Sequence, residues 1–284
     1  MQLSVDDRKA EVVEWFDAVK AKYPDLPMID VVNEAVTGHA PAPHKDALGG
    51  DGATGHEWVI KSFQMARDRW PNSVLILNDY NNLRWNVDDF IAIAKKVVAA
   101  DKGIIDAIGC QAHDLGKSEN PNYNYGEMSA TDLASVLKKL HDQIGLPIFI
   151  TELDLSYADD TEQLNAYKSL FPVLWESKYV AGVTIWGYVF GKTWSQAANS
   201  GLIKEDGTER PAMGWLKDYV KNNPNPPTDY PDLLKKINGT AGIETRSTLA
   251  ASRSGMIVRN VDGRLVMGVE HNGAFQEVSA LGRH

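Results

Sequence analysis

Amphipathic helical stretches and short apolar runs alternate five times between residues 6 and 186, and this alternation limits the chain to few folds. Within 6–22, Val12, Trp15, Phe16 and Val19 recur at i, i+3, i+4 and i+7, the spacing of one helical face. Pro24 and Pro27 stop that helix, and 28–32 follows as the apolar run of a buried parallel strand. The unit then repeats: helix 58–70 and strand 74–77, helix 87–100 and strand 104–109, helix 131–144 and strand 148–150, helix 163–177 and strand 180–186. Repeats of roughly 30 to 45 residues in this order specify a parallel α/β sheet.

A second pattern follows residue 222. The run Asn-Asn-Pro-Asn-Pro-Pro-Thr-Asp-Tyr-Pro reads as a stiff linker. Beyond it the periodicity shortens to three strands over 256–260, 264–269 and 274–278, with Asp262-Gly263 and Asn272-Gly273 as hairpin turns. The expected organisation is a partial barrel over 1–222, a linker over 223–231 and a small β-meander appendage over 232–284.

Charge and composition remove several functional classes. Acidic residues number 38 against 29 basic ones, a formal charge of -9, so neither nucleic acid nor an anionic membrane surface is expected as a partner. The single cysteine, Cys110, excludes an intrachain disulfide and a cysteine-built zinc site, and reads as a small core residue. No apolar run is long enough to span a bilayer, and the polar start, Met1 to Asp7, is not a signal peptide. His39 and His44 lie in a Gly/Pro/Ala-rich loop without carboxylate company, so the loop reads as part of a cleft and no metal or cofactor is expected. Eight tryptophans suit sugar stacking as well as core packing.

The strand ends carry the chemistry. They read Asn33-Glu34, Asn78-Asp79-Tyr80-Asn81, Gln111-Ala112-His113, Thr151-Glu152-Leu153-Asp154 and Trp186-Gly187-Tyr188. In parallel α/β folds, and above all in β/α barrels, the C-terminal strand ends form the active site. Glu34 and Glu152 then face each other across one mouth. Two carboxyl groups so placed suit glycosidic cleavage: one protonates the leaving oxygen, the other attacks the anomeric carbon or activates water. Gln111 and His113 alternate at one strand end and point the same way, and a histidine beside Glu152 orients that carboxylate.

These motifs resemble, in order and spacing over residues 6–220, those of the family-10 glycoside hydrolases, mainly endo-β-1,4-xylanases. Ile29-Asp30-Val31-Val32-Asn33-Glu34-Ala35 resembles their acid/base signature, Leu77 to Asn81 their fifth strand and Gly109 to His113 their sixth. Ile150 to Asp154 resembles the nucleophile strand. Thr184-Ile185-Trp186-Gly187, Thr193-Trp194 and Asp206 to Ala212 resemble the eighth strand, its loop and the closing helix. The resemblance implies a (β/α)8 TIM-barrel type fold and a retaining endo-xylanase, with Glu34 as acid/base and Glu152 as nucleophile. A retaining pair stands about 5 to 5.5 Å apart. It further implies that Asn33 binds the 2-hydroxyl of the cleaved sugar and that His113 partners the nucleophile with Gln111 beside it. Trp186 and Trp194 would wall the cleaved-sugar subsite, and Tyr80 and Asn81 would lie on the leaving-group side.

The match begins inside such a barrel. Glu34 corresponds to the fourth strand, and the family's first three strands, with the residues that grip the glycone side, have no counterpart here. The expectation is an incomplete barrel of strands four to eight, the product of truncation, whose open sheet edges invite association. The expected ligand is xylan or a xylo-oligosaccharide, and a polymeric substrate implies work outside the cell. The alternatives are a catalytically impaired xylan-binding fragment and a cellulase of the same barrel type.

Overall fold

A computed structural model of the chain describes residues 3–118, 124–233, 237, 256–261, 264–271 and 274–277. Residues 1–237 form one compact unit and 238–284 a second. In the first, five parallel strands lie in chain order: β1 (Met28–Asn33), β2 (Val74–Asp79), β3 (Ala107–Cys110), β4 (Ile148–Leu153) and β5 (Val180–Ile185). The helices are α1 (Val5–Lys22), α2 (Glu57–Arg69), α3 (Val87–Ala100), α4 (Ala130–Ile144), α5 (Asp160–Trp175) and α6 (Pro211–Asn222). This is the alternation expected from the apolar periodicity, over five units of the eight that a closed barrel needs.

The capping chemistry is local and explicit. Ser129 accepts a hydrogen bond from the Asp132 amide at the start of α4, and Gly145 ends it in the left-handed region. Between them Leu133, Val136, Leu137, Leu140 and Ile144 form the buried stripe. Helix α1 departs from its expected face. Val12, Phe16 and Val19 pack against the core, but Trp15 is 69% exposed. The helix packs on α2 and on the turn at 45–48, and β1 is an edge strand with no described strand outside it.

Strand β2 is buried along its whole length, whereas β1 and β5 at the two edges are only partly covered. The helices bury one face of the sheet in a single large core. On the opposite face, Val74, Ile76, Ala107 and Phe149 form a smaller cluster, and the side chains packed against it include Leu233 and Ile237. The chain reaches that face through a docked segment. Asn223 accepts a hydrogen bond from the Trp175 indole at 2.9 Å, Asp229 pairs with Lys178 at 3.1 Å, and the Tyr230 hydroxyl meets His141 Nδ1 at 2.8 Å.

The second unit contains an antiparallel sheet of β6 (Met256–Val261), β7 (Arg264–His271) and β8 (Ala274–Glu277), the meander expected from sequence. The Asp262-Gly263 and Asn272-Gly273 turns lie outside the described residues.

Candidate active site

Parallel strands in one register deliver their C-terminal ends to one rim, so the polar strand ends converge. The ladder runs past the strands themselves: the Glu34 amide donates to Asn78 O at 2.9 Å, Gln111 to Asp79 O at 3.0 Å, and Trp186 to Leu153 O at 3.0 Å. Among the described residues, three that are not glycine adopt positive φ: Glu34 (62°), Asn81 (57°) and Ala112 (67°). Each lies one or two residues past the end of a strand and turns the chain at the rim. Such conformations cost on the order of 1 kcal/mol or more each and persist where surrounding structure enforces them, commonly at functional sites.

Glu34, Tyr80, Asn81, Gln111, His113, Glu152, Trp186 and Trp194 line a single cavity of about 830 Å³. Asn33, the remaining candidate, is bonded to three of the groups at its base. Its amide nitrogen lies 3.2 Å from Glu34 Oε1, and its amide oxygen accepts from Asn78 at 3.0 Å and from Gln111 at 3.1 Å. Gln111 also donates to Glu34 Oε1 at 3.1 Å. Asn78 donates to Glu152 Oε1 at 3.1 Å and is itself held by the Thr151 hydroxyl at 2.7 Å. The two carboxyl groups are thus joined through Asn33 and Asn78 by a short chain of amides.

The surroundings of the two glutamates differ in charge. Glu34 is met by the neutral amides of Asn33 and Gln111. Glu152 Oε2 lies 3.3 Å from His113 Nε2, and the other ring nitrogen lies 2.9 Å from Asp154 Oδ1. Burial alone would lower the His113 pKa, but the two close acids, Asp154 and Glu152, outweigh it and lift the imidazole to about 9. His113, wedged between two acids, is thereby biased toward its protonated form. Trp194 completes the arrangement: its indole N–H donates to Asp154 Oδ2 at 2.7 Å, and its ring stands 4.9 Å from the His113 ring. The loop that carries Trp194 is anchored from behind by Arg210, fully buried, whose guanidinium reaches Asp160, Asn199 O, Gly201 O and Tyr157 O.

Several participants carried no role in the sequence reading. Asn78 and Asp154 sit inside quoted strand-end motifs, yet only the fold shows that they hold Glu152 and His113. Asp79 binds the Val36 amide at 2.9 Å and His39 Nδ1 at 2.5 Å, and His39 stacks on Tyr80 with ring centres 3.7 Å apart. The His39 loop is thereby tied to the cleft rim. His44 lies beside Trp58 instead, 6.1 Å between ring centres. Among the described residues no group of three His, Cys, Asp or Glu side chains is placed to hold a metal ion. Cys110 is fully buried in the core.

Comparison with known proteins places this geometry in a lineage. The glycosyl hydrolase family 10 model matches residues 2–219. The chain belongs to glycosyl hydrolase family 10. It is 43% identical over 220 residues to endo-1,4-β-xylanase B of Cellvibrio japonicus, a match covering 78% of this chain and 33% of that protein. Among solved structures, native xylanase 10B from Thermotoga maritima superposes with a TM-score of 0.63 at 19% identity, covering 78% of this chain and 69% of that one. Xylanase 10B from Thermotoga petrophila RKU-1, solved with xylobiose, gives 0.59 at 20% identity over 76% of this chain and 65% of that one. The chain spans about a third of the curated relative's length, and its five strands correspond to part of the family-10 barrel.

Proposed function

We propose that this family-10 chain is a retaining endo-β-1,4-xylanase, with Glu34 as acid/base and Glu152 as nucleophile. The observation that carries the assignment is the asymmetry around the two carboxyl groups. Glu152 has the His113 ring at 3.3 Å, a base whose pKa its two acidic neighbours raise, while the described side-chain donors to Glu34 are the neutral amides of Asn33 and Gln111. A cation beside one carboxylate suits the group that attacks as an anion, and neutral surroundings suit the group that carries a proton in and out.

In the first step Glu34 gives its proton to the glycosidic oxygen as the bond to the anomeric carbon breaks. A Glu152 carboxylate oxygen bonds to that carbon on the opposite face, which forms a glycosyl ester and releases the leaving chain as an alcohol. In the second step Glu34, now a carboxylate, takes a proton from water, the water oxygen bonds to the anomeric carbon, and Glu152 leaves. Asn33 meets the 2-hydroxyl, Trp186 and Trp194 wall the cleaved sugar, and Tyr80 and Asn81 face the leaving chain. The xylobiose complex of the Thermotoga petrophila relative supports xylan and its oligosaccharides as the substrate class. A polymer of that size places the reaction outside the cell.

Proton NMR of xylo-oligosaccharide hydrolysis tests the mechanism. Double displacement gives the β-anomer first, with the α-anomer growing in later by mutarotation. Initial release of the α-anomer, or no turnover by soluble folded protein, contradicts the assignment.

A further inference from the structure

Trp85 lies on the loop between β2 and α3, lines the same cavity as Glu34 and Glu152, and is 50% exposed. An exposed tryptophan alone means little, as Trp15 on α1 shows. Trp85 differs in being held. The Tyr125 ring meets it edge-on, with centres 4.9 Å apart at an interplanar angle of 73°. The Arg84 guanidinium lies 5.0 Å from the centres of both rings. Arg84 is itself fixed, donating to Asp114 O at 3.1 Å and to Gly126 O at 3.0 Å. The Trp85 amide is bonded to Asn81 O at 3.0 Å, one residue from Tyr80 on the cavity wall. A large aromatic surface is therefore immobilised before any ligand arrives, half of it open within the catalytic cleft. Preorganisation of this kind removes the ordering cost of binding.

The position in the sheet sets what this surface meets. The Trp85 loop follows β2 and the Trp186 loop follows β5, three strand positions away, or about 14 Å at ordinary strand spacing. That span exceeds one sugar ring, so Trp85 meets a residue remote from the bond being cleaved. We propose that Trp85, braced by Arg84 and Tyr125, is a distal stacking platform for a pyranose ring of the leaving chain, and so sets the preference for longer oligosaccharides. The inference rests on the proposed function, since it takes the bound chain to be a β-1,4-linked xylo-oligosaccharide.

The test is calorimetric titration of the full chain carrying Glu152→Gln, to prevent turnover, with xylobiose, xylotetraose and xylohexaose. Adding Trp85→Ala is expected to weaken xylohexaose binding about ten-fold, the order of one aromatic stacking contact. The loss should shrink as the ligand shortens, and Trp85→Tyr should recover most of it. Circular dichroism melting of each variant confirms folding. If the parent binds xylohexaose and Trp85→Ala binds it equally well, the platform is refuted and the proposed function stands. The same holds if Trp85→Tyr binds as weakly as Trp85→Ala. If the parent binds no oligosaccharide of any length, the proposed function falls, and this inference with it.

Discussion

Replacing Asp114 with asparagine should stabilise the protein at alkaline pH and leave it unchanged in acid. Asp114 follows His113 and is 1% exposed, and neither carboxyl oxygen has a hydrogen-bond partner from another described residue. Burial is the main cause of its raised pKa, lifted from 3.8 to about 6 against the opposing pull of its own amide, Arg84 and His113. The folded state thus holds a proton that the unfolded state has lost between those two values. Stability of the native sequence therefore falls as pH rises from 4 to 6, and the full cost of the buried charge is present above about 7. Moving a carboxyl from 3.8 to about 6 corresponds to about 3 kcal/mol. Asparagine is nearly isosteric and never charges. Asp114→Asn should therefore gain about 3 kcal/mol at pH 8 and almost nothing at pH 4. For a unit of this size that is roughly 6 to 12 °C in melting temperature. Calorimetry of both proteins at pH 4 and pH 8 measures it. A difference that is the same at both pH values, or a less stable variant at pH 8, refutes the reasoning.

His113→Asn should reduce kcat by about a hundred-fold, the usual order for a residue that orients another group. The native chain is expected to lose activity on an alkaline limb near pH 9, where His113 gives up its proton beside Glu152, and the variant should lack that limb; pH–rate profiles of both proteins check this. Gly109→Ala would drive a Cβ into the side-chain amide of Asn78, which holds Glu152, so activity should fall at least ten-fold while far-UV dichroism is retained. The double change Leu233→Asp and Ile237→Asp would place two charges against Val74, Ile76, Ala107 and Phe149. It should cost about 2 to 4 kcal/mol in urea unfolding, because Leu233 and Ile237 pack against that face.

Much of the fold was legible because each strand is a short apolar run between helices of clear period. The helix over 87–100 and the start of β1 at Met28 coincide with their sequence readings. Boundaries moved where a side chain competes with the ladder. Residues 104–106 read as strand, but β3 starts at Ala107: the Asp106 carboxylate takes the Leu75 amide on β2, and the Arg67 guanidinium takes Ile104 O. Trp15 was misread because helical spacing identifies a face but not whether a neighbour exists to cover it. The nine candidate residues were legible as strand-end polar groups and as matches to family motifs; the structure brings eight of them to one cleft and bonds the ninth, Asn33, to Glu34 and Gln111. The supporting groups were not legible in the same way. Asn78 and Asp154 act across strands through contacts between residues distant in sequence. Trp85 and Tyr125 come from different loops, and nothing local marks either one. The docking of 223–230 was hidden for a related reason: proline-rich composition reports stiffness and says nothing of what a stiff segment lies against.

Hydrolysis of an aryl β-xylobioside by the purified chain, beside Glu152→Ala, tests the central claim most directly. The account predicts aryl release by the native chain and its loss, by several orders of magnitude, in the variant, with partial rescue by azide that yields a glycosyl azide of inverted configuration. Equal rates for the two proteins, or no release by native protein that is soluble and folded, would contradict it.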